Sequence, residues 1–139
     1  LYRQRGHLYY AQWQNHRKDC QSTDDSCKVL SLCEEHRVDG FVSASSVTDI
    51  YYLVRKYTHS TDLAYKAVGK LLEIVKVCSV TNNDVLTAFQ RKVRDFEVYL
   101  VATCAKSIHC EYIITRNKKD FEEFDIPLLT PTEFLQQLL

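Results

Sequence analysis

The chain has 139 residues, 45% apolar and 26% charged, with only three Gly and two Pro; that is enough for one buried core and excludes a disordered or low-complexity chain. Eighteen basic residues balance eighteen acidic ones, which excludes a general electrostatic grip on nucleic acid but leaves local patches open. No apolar run reaches the roughly 20 residues that span a bilayer and no signal-peptide pattern opens the chain, so a soluble cytoplasmic protein is expected.

Residues 1–25 form the one discontinuity in an otherwise single domain spanning 1–139. They hold the only Trp and have weak periodicity, with a strand candidate in "HLYYA" at 7–11. Arg3, Arg5, Arg17 and Lys18 gather in the first 18 residues without an acid, either as a solvated basic end or as a phosphate contact. The chain has no Met and begins at Leu1, so either an initiator Met has been removed or the natural start lies upstream.

"SCKVLSLCEEH" at 26–36 carries Val29, Leu30, Leu32 and Cys33 at helical spacing. Asp24 and Asp25 sit at its expected N-terminus, where carboxylates suit the dipole, and Gly40 of "VDG" is expected in the turn that ends it. "FVSAS" at 41–45 then reads as a strand. Ser46 and Asp49 suggest a capping pair for the next helix, whose stripe is Ile50, Leu53, Val54 and Tyr57. Another helix is expected over 60–75 from Leu63, Ala67, Leu71 and Ile74, and "KVCSV" at 76–80 reads as a strand.

Cap-type residues open a short helix over 81–92. In "RDFEVYLVATCAKSI" at 94–108, Val98, Val101, Ala102 and Ala105 share one helical side. "EYIITRN" at 111–117 is a β-branched and aromatic strand, "IPLLT" at 126–130 a last one, and Pro131 starts a C-terminal helix. Strands alternating with helices imply a parallel sheet with helices on both faces, whose functional crevice lies beyond the carboxyl ends of the strands.

Six cysteines are present, but Cys33 and Cys104 lie in helical patterns while Cys78 and Cys110 adjoin strand-like runs. They read as small buried hydrophobes rather than disulfide partners. Cys20, Cys27, Cys33 and His36 fit no common zinc spacing, and the five histidines suggest no ligand pair. Oxygen donors fare better. Carboxylates gathered at strand ends can hold Mg²⁺ or Mn²⁺, which assist phosphodiester cleavage, and this draws attention to Asp49, Asp95, Glu97, Asn117 and Asp120.

"VSASSVTDIYYLVRK" (42–56), "RDFE…LVATCAKSIHCEYIITRNKKDF" (94–121) and "IPLLTPTEFL" (126–135) closely resemble PIN domains, especially the small prokaryotic form that includes VapC-type toxins. The resemblance covers roughly residues 26–139. It implies a three-layer α/β/α fold with a central parallel sheet, and a ribonuclease that uses Mg²⁺ or Mn²⁺. It implies RNA as substrate, and an antitoxin-like protein or a second copy as partner. It assigns catalytic roles to Asp49 and Asp120, metal contact to Asp49, Asn117 and Asp120, and RNA contact to Arg116 and Lys118. Read alone, Asp49 is an ordinary helix acid, and Arg116 and Lys118 either meet RNA phosphate or form a solvated strand exit.

Two acids of the resembling family are missing. Its members typically read "DFEDAL", with a metal-binding Asp where this chain has Val98 in "DFEVYL". Its first strand typically ends in "DTN", and nothing in residues 1–25 reads so. Asp95 lies three residues before Val98, about one turn or roughly 5 Å along the helix, too far to substitute without rebuilding. Asp95 and Glu97 are therefore expected to be ordinary first-turn acids. The expected outcome is a ribonuclease-derived domain with impaired or lost activity, or else a non-catalytic RNA- or protein-binding module.

Overall fold

Along "VDGFVS", Val38 and Val42 are buried in one apolar cluster while Phe41 packs against another, the alternation of a strand covered on both faces. The computed structural model describes residues 6–10 and 20–138. Its elements are β1 (Gly6–Tyr10), α1 (Cys20–Glu34), β2 (Val38–Ser43), α2 (Ala44–Thr58), α3 (Thr61–Ile74), β3 (Val75–Cys78), α4 (Asn82–Gln90), α5 (Phe96–Ser107), β4 (Tyr112–Ile114), a 3-10 turn (Lys118–Phe121), β5 (Leu128–Leu129) and α6 (Pro131–Gln137). The strands form one parallel sheet in the order β3-β2-β1-β4-β5. The expected α/β architecture with a central parallel sheet is what the structure has.

Two clusters fill the two faces. Val29, Leu32 and Cys33 of α1, Ile50 of α2, Leu71 of α3 and Phe134 of α6 pack on one face. Val98, Val101, Ala102, Cys104 and Ala105 of α5 pack on the other with Phe121 and Ile126. The chain moves outward from β1 to β2 to β3 and then returns past β1 to β4. Keeping one crossover hand while reversing direction places α5 on the opposite face. The order therefore reverses at β1, and in such sheets the crevice lies at that point, beyond the carboxyl ends.

Most helix starts follow the sequence. Ser60 caps α3, Thr81 and Asp84 form a full capping box on α4, and Thr130 and Glu133 form another on α6 with Pro131 inside it. Three expectations are corrected. Ser43, not Ser46, caps α2 and accepts from the Ser46 N–H at 3.1 Å, while buried Ser46 pairs its hydroxyl with Ser43. α1 begins at Cys20, so Asp24 and Asp25 lie within it. Buried Asp25 accepts a hydrogen bond from Thr132 Oγ1 and so ties α1 to α6. Gly40 is not in a turn but in β2, where a Cβ would lie 2.7 Å from Cys33 Sγ. In the expected stripes of α2 and α3, Tyr57 and Leu63 are exposed.

Helix ends carry an unexpected feature. Among the described residues four are left-handed, His36, His59, Lys92 and His109, with φ between 51° and 57°, and none of the four is Gly. Around Lys92, the Val93 N–H donates to Ala88 O at 3.3 Å and the Lys92 N–H to Phe89 O at 3.1 Å. This is a complete Schellman ending with Lys where Gly is usual. The same pair of bonds closes α1 at His36 and α5 at His109. A side chain in this region costs about 1 kcal/mol or more; His visits it more readily than most, and Lys has no such advantage. Three histidines without an expected role thus terminate helices.

Most of the described thiols behave as core, but Cys27 is exposed, against expectation. Cys33, Cys78 and Cys104 are buried. Burial pushes the Cys33 thiol up to about 11, and the Cys104 and Cys110 thiols up to about 12, with Cys78 beside the latter two adding to the rise. Cys104 Sγ donates to the Ser79 carbonyl at 3.4 Å. Thiols held in the neutral form are poor nucleophiles and poor metal ligands. Among the described residues, no helix is long and apolar enough to cross a membrane.

Candidate functional site at the carboxyl edge

Helix N-termini follow the carboxyl ends of parallel strands, so α2 on one face and α5 on the other both start above this edge. Asp49 is exposed on α2. Asp95 is the N-cap of α5 and accepts from the Val98 N–H at 3.1 Å, the first-turn role expected of it. Glu97, beside it, has more than that role. Its carboxyl is raised above the ordinary glutamate value by burial first, then by the negative charges of Asp49 and Asp95. The sheet thus brings Asp49 and Glu97, from helices on opposite faces, within electrostatic reach of each other. Sequence reasoning missed that pairing, since nothing local to "DFEV" signals a partner on another helix.

Val98 points the other way. It is 6% exposed and part of the apolar cluster beneath α5. The strand at the reversal point, β1, reads "GHLYY", and no acid occurs before Asp19.

Beyond β4, Thr115 is 1% exposed. Its Oγ1 accepts from the Asn117 N–H at 3.1 Å, which folds the chain sharply into the 3-10 turn. The Asn117 carbonyl accepts from the Asp120 N–H at 3.1 Å, and both side chains are exposed. Arg116 is half-buried. Lys118 Nζ donates to both carboxylate oxygens of Glu133 at 3.1 and 3.0 Å, and this bond, first among its influences, holds Glu133 below the ordinary glutamate value.

The expected residues therefore share an edge without converging on one point. Asp49 acts on Glu97 through its charge, whereas Asn117 and Asp120 belong to a separate turn. Among the described residues, no three His, Cys, Asp or Glu side chains gather as metal ligands. Mg²⁺ is commonly held by one or two carboxylates together with water and substrate phosphate, so Asp49 and Glu97 are a minimal, solvent-facing donor pair. The head of α5, where a further donor would complete the set, presents a buried valine. This donor set does not fit a firmly resident divalent ion.

A second feature adjoins the first. Between α5 and the 3-10 turn lies a cleft of about 1300 Å³, lined by the α4–α5 elbow (91–95), Val98, Tyr99, Thr103 and Lys106 of α5, and Lys119, Asp120, Glu122, Glu123 and Phe124. Asp120 thus shares this lining with Asp95 and Val98, and Asp49 is not part of it.

The profile of a family described as "PIN domain" matches residues 16–119. Among solved structures, the crystal structure of PAE2754 from Pyrobaculum aerophilum is similar, with a TM-score of 0.62 at 12% identity, covering 96% of this chain and 95% of that one. At that identity the likeness speaks for the fold alone. No curated protein matches the chain.

Proposed function

Because this chain belongs to the PIN-domain family, whose fold is generally that of a nuclease, we propose that it derives from a Mg²⁺- or Mn²⁺-dependent ribonuclease of toxin type whose own phosphodiester chemistry is impaired or lost. The observation that carries this is Val98. An apolar side chain buried under α5 stands where the family's wording has a carboxylate, and the sequence of β1 supplies no acid to offset it. Changes behind a metal ligand already cost about 10–100-fold in affinity or activity, and losing ligands themselves costs at least as much.

Any residual hydrolysis falls to Asp49 and Asp120 for water and metal positioning, with Asn117 as a weaker metal contact. Glu97 joins Asp49 as the nearest additional carboxylate. Retained binding without cleavage is the second reading, with RNA, an antitoxin-like protein or a second copy as partner in the cytoplasm. What favours it is the group of Arg91, Lys92 and Arg94 on the elbow that lines the cleft.

Incubation of single-stranded and structured RNA with high protein concentrations, in Mg²⁺ and in Mn²⁺, tests the leading reading. No cleavage above a metal-free control is expected. Metal-dependent cleavage that disappears in Asp49→Asn overturns it.

A further inference from the structure

We propose that single-stranded RNA is held on the α4–α5 elbow, by Arg91, Lys92 and Arg94 with Lys106 and Lys119 at its flanks, rather than on the strand exit at Arg116 and Lys118. The proposal takes RNA as the polymer from the reading above and rests on it to that extent.

All five side chains are exposed and line the same cleft. None of the five makes an ion pair among the described residues, although four carboxylates line that cleft too. The signs are segregated. Arg91, Lys92 and Arg94 come from the elbow, where Asp95 is engaged in capping α5, whereas Asp120, Glu122 and Glu123 come, with Lys119, from the segment beyond β4. A polyanion entering the cleft is drawn to the elbow and repelled from the acids beyond β4, which fixes the side on which its phosphates lie. Tyr99 and Phe124 stand in the same lining with ring centroids 6.2 Å apart, offering flat apolar surface for unpaired bases.

The cations that the sequence alone singles out are placed otherwise. Lys118 is held by both oxygens of Glu133, and Arg116 is half-buried. Lys92 is unusual in a different way. It takes the left-handed position of a Schellman ending with φ 51°, where Gly would be conformationally easier. At this position a cation is kept at the expense of backbone strain, and it faces the cleft.

The test is fluorescence anisotropy of a labelled oligouridylate with the full chain in EDTA, at several salt concentrations. Arg91→Glu/Arg94→Glu is expected to weaken binding at least about tenfold and to lower the slope of log K against log salt by about 1 to 2. Lys66→Glu/Lys70→Glu on α3 is expected to change it less than about twofold. Lys92→Gly separates function from folding, with weaker binding beside an equal or higher melting temperature. Equal losses from the α3 and elbow variants, or none from the elbow, overturn the proposal, as does complete displacement of the RNA by inorganic phosphate alone, which marks a small-anion site. Because EDTA removes any metal, failure here leaves the reading of an impaired nuclease intact. Conversely, metal-dependent cleavage would overturn that reading without touching this one.

Discussion

The carboxylate edge and the elbow cleft meet at the first turn of α5, yet they are built in opposite ways. At the edge, burial first and then the negative charges of Asp49 and Asp95 raise the Glu97 carboxyl. Like charges within reach of one another disfavour the doubly ionised state and favour a proton or a cation between them. In the cleft, five cations stay out of ion pairs with carboxylates of the same lining. Chemistry needs a complete donor set at one point, whereas strand binding needs only several charges along a wall. Loss of one ligand damages the first far more than the second.

Val98→Asp breaks that comparison most strongly. Placing an ionisable group in the apolar cluster beneath α5 is expected to destabilise the fold by about 2–4 kcal/mol, read from urea unfolding. If Val98 is the missing donor, Mn²⁺ should recover part of the loss in the variant, since binding to the native state stabilises it by mass action, while leaving the parent chain unmoved. An equal Mn²⁺ effect on both proteins would mean that the existing carboxylates already hold the ion.

That substitution also marks what was legible in the sequence and what was not. The apolar side of α5, Val98, Val101, Ala102 and Ala105, could be read from the 3.6-residue period, and all four are buried. The starts at Ser60, Thr81 and Pro131 could be read because capping is local chemistry. Helix ends were harder, because His36, Lys92 and His109 occupy positions where Gly is the usual signal, and the Gly that was visible, Gly40, serves instead to let β2 approach Cys33. The site divides in the same manner. Asp49, Asn117 and Asp120 could be named from local wording, but the approach of Glu97 to Asp49 exists only after two crossovers have placed α2 and α5 on opposite faces of one edge. The elbow cations stand together in the sequence as "RKVR" at 91–94, but only the fold sets them on the same cleft as Lys106 and Lys119.

Asp49→Asn sharpens the edge with a smaller effect. Glu97 is raised above its unfolded value, so its stabilising contribution is fully present below the ordinary glutamate range and is lost as pH rises through the folded-state value. Removing the Asp49 charge lowers the Glu97 carboxyl back toward its ordinary value and shrinks that loss. The variant is therefore expected to be more stable than the parent near neutrality, by no more than about 1 kcal/mol for so exposed a pair, with the gap closing in acid. Urea midpoints at the two pH values measure it. A variant that loses stability near neutrality would show that Asp49 is held by favourable contacts that outweigh its repulsion of Glu97.

Glu133→Gln is the finest test, because it separates the strand exit from the elbow. Gln retains the capping-box acceptor for the Thr130 N–H but removes the charge that holds Lys118. Glu133 is depressed below its unfolded value, so its contribution is present above the ordinary glutamate range and lost as pH falls through the folded-state value. The pair is solvent-screened, with both side chains 40% exposed, so the cost near neutrality is expected to stay below about 0.5 kcal/mol and to vanish in acid. The substitution also frees Lys118 to meet phosphate. If the elbow carries the grip, RNA affinity in EDTA should change less than about twofold. A marked rise would return the interface to the strand exit and make Glu133 the residue that restrains it.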